Sequence, residues 1–197
     1  MRRLLRQVFR GPRGDSRRHL PRGELERGFA ALEPPPVDRG RVALIVARAE
    51  SGAHETPERV TVTPESGVPG DAWQRDIPDR LDSQITAIRA DVARLVANGQ
   101  ALSLSGDNLV LDLDLSFANL PAGSRLRAGQ ALLEVTPEPH TGCVKFRQRF
   151  GGDALRLTAN PRLRELRLRG IYFVVVEGGE VAVGDPIAVL SRAAPAA

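Results

Sequence analysis

Short runs of apolar and β-branched residues, separated by glycine, proline or charged residues, constrain the fold of this 197-residue chain most strongly. These runs cover residues 41–48, 59–63, 84–88, 108–115, 131–136, 171–177, 181–183 and 187–190. Runs of this length and composition are typical of β-strands. They do not alternate with helices as in a doubly wound sheet. We therefore predict a mainly β protein of at least seven strands, a barrel or a sandwich with a few short helices.

Two segments have helical spacing instead. The segment 91–98 carries apolar residues on one helix face and ends at Gly99, a favourable position for a C-terminal cap. From position 145 onward, one helix face is formed by Phe146, Phe150, Ala154 and Leu157. Gly151 and Gly152 fall inside this second pattern and predict a break there, because each glycine costs a helix about 1 kcal/mol relative to alanine.

The positive charge of the chain is concentrated at its start. Residues 1–22 hold eight arginines and one acidic residue, a net charge of +7, which leaves −3 for the remainder of a chain whose total is +4. A mildly acidic body argues against nucleic acid as a partner. The three prolines at 34–36 indicate a boundary between segments. We predict a basic, disordered leader over 1–38, a β-rich domain over 39–191 and a flexible tail over 192–197.

The leader has no hydrophobic core of the kind that directs secretion. Its composition resembles that of an organelle transit peptide, but four apolar residues within 1–22 form one short amphipathic turn that predicts a weak contact with an anionic surface. A disordered extension without a function is the alternative. No apolar run is long enough to span a bilayer, and we predict a cytoplasmic protein.

The single cysteine, Cys143, is the strongest candidate for chemistry. It follows a proline-bounded loop, and His140, Lys145 and Arg147 lie close to it in sequence. Basic side chains near a cysteine favour its thiolate, the form that acts as nucleophile, sulfur carrier or metal ligand. A buried small hydrophobic side chain is the alternative for a lone cysteine. No phosphate loop, dinucleotide motif or zinc motif occurs, and the three histidines are far apart in sequence.

An ordered series of motifs resembles the MOSC domain, named after the C-terminal part of molybdenum-cofactor sulfurase. The resemblance covers about residues 41–190. The motifs are GVPGD at 67–71, QITAI at 84–88, GDNLV at 106–110, LPAGSRLRAG at 120–129, Cys143, RGIY at 169–172 and GD at 184–185. None of them is specific alone, but their order is that of the family. The resemblance implies a β-rich, MOSC-like partly closed barrel.

The resemblance also implies roles for single residues. Cys143 matches the signature cysteine of the family, which implies a persulfide carrier or a ligand of molybdenum in a pterin cofactor. The matching cofactor-binding positions are Gly70, Asp71, Asn108, Arg169 and Gly170, and His140 and Lys145 flank the cysteine. Because arginine forks match phosphate oxygens, we expect Arg169 and the bases after Cys143 to face the phosphate of molybdopterin.

Two departures from the family pattern remove positive charge from this region. Ala72 and Trp73 follow the Gly-Asp pair where a basic residue or a histidine is common, and Asp107 precedes Asn108 where an arginine is common. The chain also contains no pyridoxal-phosphate desulfurase domain and no extra N-terminal β-barrel.

Two hypotheses about function follow from the sequence. The protein binds molybdenum cofactor or carries sulfur on Cys143, with a sulfur donor or redox protein as partner. Alternatively, it is a non-catalytic β-barrel binding module that has lost the cofactor. Whether it is an enzyme stays open.

Overall fold

Seven β-strands close into a barrel at the centre of the protein. The computed structural model describes residues 11–194. The strands in chain order are β1 (Arg39–Ile45), β2 (Ala47–Arg48), β3 (His54–Glu55), β4 (Arg59–Val62), β5 (Ile85–Arg89), β6 (Leu109–Asp112), β7 (Arg125–Ala128), β8 (Ala131–Val135), β9 (Ile171–Glu177), β10 (Gly179–Ala182) and β11 (Pro186–Ser191). The barrel order is β1-β11-β7-β8-β9-β5-β6, and two small sheets pair β4 with β10 and β2 with β3. All barrel neighbours are antiparallel except β5 and β6, which run parallel.

In the described part of the chain, five short helices accompany the strands. They are α1 (Arg22–Ala30), α2 (Ala72–Asp76), α3 (Ala90–Ala97), α4 (Val144–Phe150) and α5 (Gly152–Thr158), together with 3-10 turns at Ser16–Arg18, Leu81–Ser83, Leu102–Ser105 and Pro161–Leu166. Apolar side chains of the strands fill the barrel interior, while α1, α3, α4 and α5 share a second apolar cluster. The prediction of a mainly β protein with short helices is confirmed, and the barrel is closed rather than partly closed.

The predicted helix break between α4 and α5 is confirmed. Gly151 connects the two helices with φ at +91°, a conformation that favours glycine. The four apolar residues of the predicted face, Phe146, Phe150, Ala154 and Leu157, are all buried in the helical cluster. One apolar stripe therefore holds both helices against the same layer, although the backbone turns between them.

Strand β6 differs from the alternating strand predicted over 108–115. It is limited to four residues, of which Leu109, Val110 and Leu111 are all buried and only Asp112 is exposed. Leu109 and Leu111 belong to the barrel interior, whereas Val110 packs in a separate cluster with Ala90 and Ala93 of α3. Both faces are therefore covered over residues 109–111, whereas the predicted alternation of buried and more exposed residues is found over 111–115.

The N-terminal segment differs from the disordered leader predicted over 1–38. Among its described residues, α1 buries Leu25, and Leu20, Phe29 and Leu32 pack partly buried against the helical cluster. Apolar residues on one helix face explain this docking. The predicted amphipathic turn, with Leu4, Leu5, Val8 and Phe9, lies outside the described residues, as do the leader's first four arginines, Arg2, Arg3, Arg6 and Arg10.

The start of the predicted tail over 192–197 is also held. Arg192 donates hydrogen bonds to Asn119 Oδ1 at 2.7 Å and to Asp38 Oδ1 at 2.6 Å, and Ala193 donates to Ser124 Oγ. Residues 195–197 lie outside the described residues. Within residues 11–194, no helix has the length and apolar character needed to cross a membrane.

Candidate functional site

Strand β5 brings together two segments that are about sixty residues apart in sequence. Ala87 of β5 is paired with Leu109 of β6 on one side and with Ile171 of β9 on the other. Asp107 and Asn108 directly precede β6, and Arg169 and Gly170 directly precede β9. Both pairs of residues therefore lie beside Ala87, one on each side of β5, and we call the region where they meet the barrel end.

A buried ion pair forms the centre of this barrel end. Arg169 Nη1 donates hydrogen bonds to both carboxylate oxygens of Asp107, at 2.9 and 3.0 Å. The two side chains are 8% and 1% exposed, respectively. Two charges removed from water in this way are costly unless they stay paired. The position where the family commonly has an arginine thus holds the counter-ion of Arg169.

His140 reaches the same carboxylate from the loop between β8 and α4. Its Nε2 lies 3.7 Å from Asp107 Oδ1, its side chain is 6% exposed, and its ring is 4.5 Å from the ring of Tyr172. Burial, followed by the positive charge of Arg169, lowers the pKa of His140 to about 3. The imidazole is therefore neutral at physiological pH.

Gly170 makes room for this arrangement. Its φ is +107°, and a Cβ atom at this position would lie 2.0 Å from the carbonyl oxygen of Ala87 and 3.2 Å from His140 Nδ1. Any other residue would displace β5 or the histidine. The predicted site residues Arg169, Gly170 and His140 thus lie together around Asp107.

Asp71 forms a second buried ion pair nearby. Arg48, at the end of β2, donates to Asp71 through its backbone N–H at 2.7 Å and through its guanidinium, which contacts both carboxylate oxygens. Asp71 also caps α2 by accepting from Trp73 N–H at 2.9 Å. Burial alone raises the pKa of Asp71, but these hydrogen bonds and the charge of Arg48 hold it below its usual value.

Asn108 lies between the two ion pairs and is 0% exposed. Its Oδ1 accepts from Thr86 N–H at 3.1 Å and Oγ1 at 3.0 Å, and its Nδ2 donates to the carbonyl of Val46 at 3.1 Å. Arg48 Nη2 lies 3.4 Å from the same Oδ1. The amide thus joins β5, β6 and the residue after β1, and links the Arg48 pair to the barrel end.

Cys143, Lys145 and Gly70 lie at the surface instead of in this buried cluster. Cys143 precedes the first residue of α4 and is exposed, so the alternative of a buried hydrophobic cysteine is wrong. Lys145 is exposed one residue further on. Gly70 lies in an exposed turn, at a φ of +75°, with open space where a side chain would point.

We expect Cys143 to react with Ellman's reagent in the native protein, with one thiol per chain. Because the thiol is exposed, native and urea-unfolded protein should label at comparable rates. Stopped-flow absorbance gives both rates, and Cys143→Ser provides the blank. A thiol that reacts only after unfolding would contradict the exposed position.

Arg149 is a buried cation near this cluster that the sequence did not indicate. It is a buried residue of α4 whose Nη1 donates to the carbonyl of Ser105 at 2.8 Å and whose Nη2 lies 3.3 Å from His54 Nε2. Burial lowers the pKa of Arg149, while Cys143 and Asp107 act in the opposite direction. Its partners, residues 54 and 105, are distant in sequence, so no local sequence pattern indicates these contacts.

Three guanidinium groups lie at the barrel end. Those of Arg48 and Arg169 are paired with Asp71 and Asp107, that of Arg149 is near enough to Asp107 to interact with it electrostatically, and His140 is neutral. Within residues 11–194, no group of three or more His, Cys, Asp or Glu side chains is placed to hold a metal ion.

The buried, neutral His140 predicts a dependence of stability on pH. Its folded pKa of about 3 lies below the ordinary value of 6.5, so the unfolded chain binds more protons between these values and stability falls as the pH drops below 6.5. We expect a loss of up to about 2 kcal/mol between pH 6.5 and 5, from about 1.4 kcal/mol per pH unit. Urea unfolding should show that this loss is smaller in His140→Phe, which retains His19 and His54. An unchanged pH profile would contradict a buried neutral imidazole.

Comparisons with known proteins relate this site to a family. The model of the MOSC domain matches residues 71–188. A crystal structure of a hypothetical protein is similar with a TM-score of 0.60 and 21% identity, over 79% of this chain and 70% of that chain. YiiM from Escherichia coli is similar with a TM-score of 0.53 and 21% identity, over 78% and 71% of the two chains. The YUAD protein from Bacillus subtilis gives 0.51 and 20%, over 76% and 94%. At these identities the similarity is one of fold alone. No curated protein sequence matches the chain.

Proposed function

Because the chain belongs to the MOSC domain family, we propose that it binds an anionic pterin of the molybdenum-cofactor type at the barrel end formed around Asp107 and Arg169. The family is known for ligands related to the molybdenum cofactor. The observation that carries the proposal is the cluster of guanidinium groups from Arg48, Arg149 and Arg169, of which Arg149 lies on α4, the helix that begins directly after the exposed Cys143. A phosphate-bearing ligand matches these groups, since arginine guanidinium groups bind phosphate oxygens in pairs.

The residues of the cluster fit such a ligand. Nε of Arg169 and Nδ1 of His140 are buried and have no hydrogen-bond partner among the described residues, which leaves two polar atoms for a ligand to satisfy. Arg48 is partly exposed and would interact with the phosphate, while Arg169 and His140 would hold the ring. When bound, the cofactor would supply a molybdenum centre capable of redox chemistry, and Cys143 would be its protein ligand.

Sulfur transfer is the second chemistry that Cys143 supports. Its thiolate would attack the outer sulfur of a persulfide on a donor protein, so that an S–S bond to Cys143 forms, the donor's S–S bond breaks, and the donor cysteine leaves as a thiolate. Exposure of Cys143 fits this role, because a donor protein must reach the sulfur. Mass spectrometry of protein incubated with a persulfide donor would detect the added sulfur atom, and Cys143→Ser should remain unmodified.

A non-catalytic binding module is the alternative function, and one observation favours it. Both contacts of Arg169 Nη1 are made to Asp107, so part of the guanidinium is already neutralised. In that case the barrel end would bind a small anion without molybdenum chemistry.

Metal analysis and pterin fluorescence on protein purified from molybdate-fed cells separate the two functions. We expect molybdenum and pterin in comparable amounts in the wild-type protein. Cys143→Ser should retain pterin with a lower ratio of molybdenum to pterin, because the metal loses one ligand, whereas Val144→Ala, a change at the exposed neighbouring residue, should leave the ratio unchanged. Protein that contains neither component under these conditions would contradict cofactor binding and support the binding module.

A further inference from the structure

Two unpaired polar atoms are a feature of the barrel end that the ion pairs do not explain. Nδ1 of His140 and Nε of Arg169 are buried and have no hydrogen-bond partner within residues 11–194. An unpaired buried polar group is destabilising, and nearly all such groups in proteins are paired. A third such atom, Nε2 of Gln100, belongs to a side chain held by Asp15 in a different part of the protein.

The side chains that carry the two atoms converge on one oxygen. Asp107 Oδ1 accepts from Arg169 Nη1 at 2.9 Å and lies 3.7 Å from His140 Nε2. Nδ1 of His140 is on the other side of its ring, beside Gly170, the residue that follows Arg169. One carboxylate therefore orients both side chains, and each retains an unused nitrogen.

The two unused nitrogens have opposite hydrogen-bonding roles. Nε of arginine is always a donor. The proton of a neutral imidazole lies on the nitrogen that faces an acceptor, and here Nε2 faces the carboxylate of Asp107. Nδ1 of His140 is therefore an acceptor. Burial supports the neutral form, since it lowers the pKa of His140 to about 3.

We propose that Arg169 Nε and His140 Nδ1 together bind the cyclic amide edge of a heterocyclic ligand, with its carbonyl oxygen at Arg169 and its adjacent N–H at His140. The pterin ring has this edge at C4 and N3. The purine hypoxanthine has an equivalent amide edge on its six-membered ring. This inference rests on the proposed function for the class of ring and adds the part of the ring that is recognised. A phosphate dianion offers acceptors only and would leave His140 Nδ1 unpaired, so the phosphate lies elsewhere, towards Arg48.

Movement of one loop gives the ligand access to these atoms. Both nitrogens are shielded from solvent, and His140 belongs to residues 136–143, which form no helix or strand between β8 and α4. The same loop ends at the exposed Cys143. An outward shift of this loop would expose His140 Nδ1, so ligand binding should alter the rate of thiol labelling.

Two ring pairs with reversed hydrogen-bonding edges test the proposal. Pterin is compared with 2,4-diaminopteridine, and hypoxanthine with adenine, by fluorescence or calorimetric titration of the full chain. In 2,4-diaminopteridine and adenine, a ring nitrogen acceptor and an amino donor replace the amide edge. We expect the amide-bearing ring to bind at least about tenfold more tightly, because a reversed edge leaves two buried groups unpaired.

Each outcome distinguishes the inference from the proposed function. Equal affinities of pterin and 2,4-diaminopteridine would overturn the amide edge and leave pterin binding intact. A preference for hypoxanthine over adenine without pterin binding would support the amide edge and contradict the pterin. Binding of none of the four rings would overturn both.

Variants of His140 assign the preference to this residue. His140→Phe retains a ring beside Tyr172 and removes the acceptor, so pterin affinity should fall by about tenfold while that of 2,4-diaminopteridine does not. His140→Gln presents either a donor or an acceptor by rotation of its amide, and should bring the two affinities within about threefold.

Pterin at saturation should change the labelling rate of Cys143 in wild-type protein. Circular dichroism confirms folding, and a tenfold preference that persists in either folded variant would overturn the role of His140.

Discussion

Replacing Asp107 by alanine is expected to lower the free energy of unfolding by about 3–5 kcal/mol, because it leaves the guanidinium of Arg169 buried without a counter-charge. The carboxylate is 1% exposed and accepts two hydrogen bonds from Arg169. It also lies beside His140, so no solvent replaces it. Urea unfolding followed by circular dichroism measures the loss.

The double variant Asp107→Ala/Arg169→Met provides the matched control. Removing both charges leaves no unpaired ion, so the double variant should be more stable than Asp107→Ala alone. Glu180→Ala breaks an exposed ion pair with Arg59 and should cost about 1 kcal/mol or less. A double variant no more stable than Asp107→Ala would show that the buried charge of Arg169 is not the cause.

Replacing Asn108 by alanine is expected to cost about 3 kcal/mol or more. The change leaves the N–H of Thr86 and the carbonyl of Val46 without the partner that Asn108 supplies, and each unpaired buried group costs about 1–3 kcal/mol. Asn108→Asp keeps the acceptor but removes the donor and adds a buried charge, and should be at least as damaging. The same unfolding assay measures both.

Asp112→Ala is the control for Asn108. It removes a polar side chain from the exposed end of the same strand and should change stability by about 0.5 kcal/mol or less. A mild effect of Asn108→Ala would assign the residue to ligand binding, as the family resemblance implies, instead of to the joining of β5 and β6.

Local patterns predicted the elements whose environment is simple. The spacing of Phe146, Phe150, Ala154 and Leu157, with Gly151 between, gives both the buried face of α4 and α5 and the break that separates them. The segment 91–98 likewise matches α3 to within one residue. In these helices one face meets the core and the other meets solvent, so the sequence alternates as the environment does.

Elements covered from two sides were harder to predict. Strand β6 lies between the barrel interior and α3, so its pattern does not mark a single buried face. Helix α1 was missed because the arginine-rich residues before it and the charged residues within it outweighed the helical spacing of Leu25, Phe29 and Leu32. Its contacts with α5 and α3 join distant parts of the chain, which a local pattern does not reveal.

The sequence identified candidate site residues through the family motifs and through their closeness to Cys143. Arg169, Gly170 and His140 were identified and lie around one carboxylate. The sequence marked Asp107 as a loss of positive charge, whereas the fold makes it the group that orients the other side chains. Arg48 and Arg149 gave no local signal, because their main partners lie 23 and 44 residues away along the chain.

The pairing of β1 with β11 has a consequence for synthesis of the protein on the ribosome. β11 fills the place between β1 and β7, so both strands keep an open edge until residue 191 has emerged. Open strand edges pair with other chains, and contacts between such distant residues slow folding. The nascent chain therefore passes through an open-barrel stage that lasts until translation of the final strand. Chaperone protection matters most in that interval, and slow translation of residues 128–191 would lengthen it.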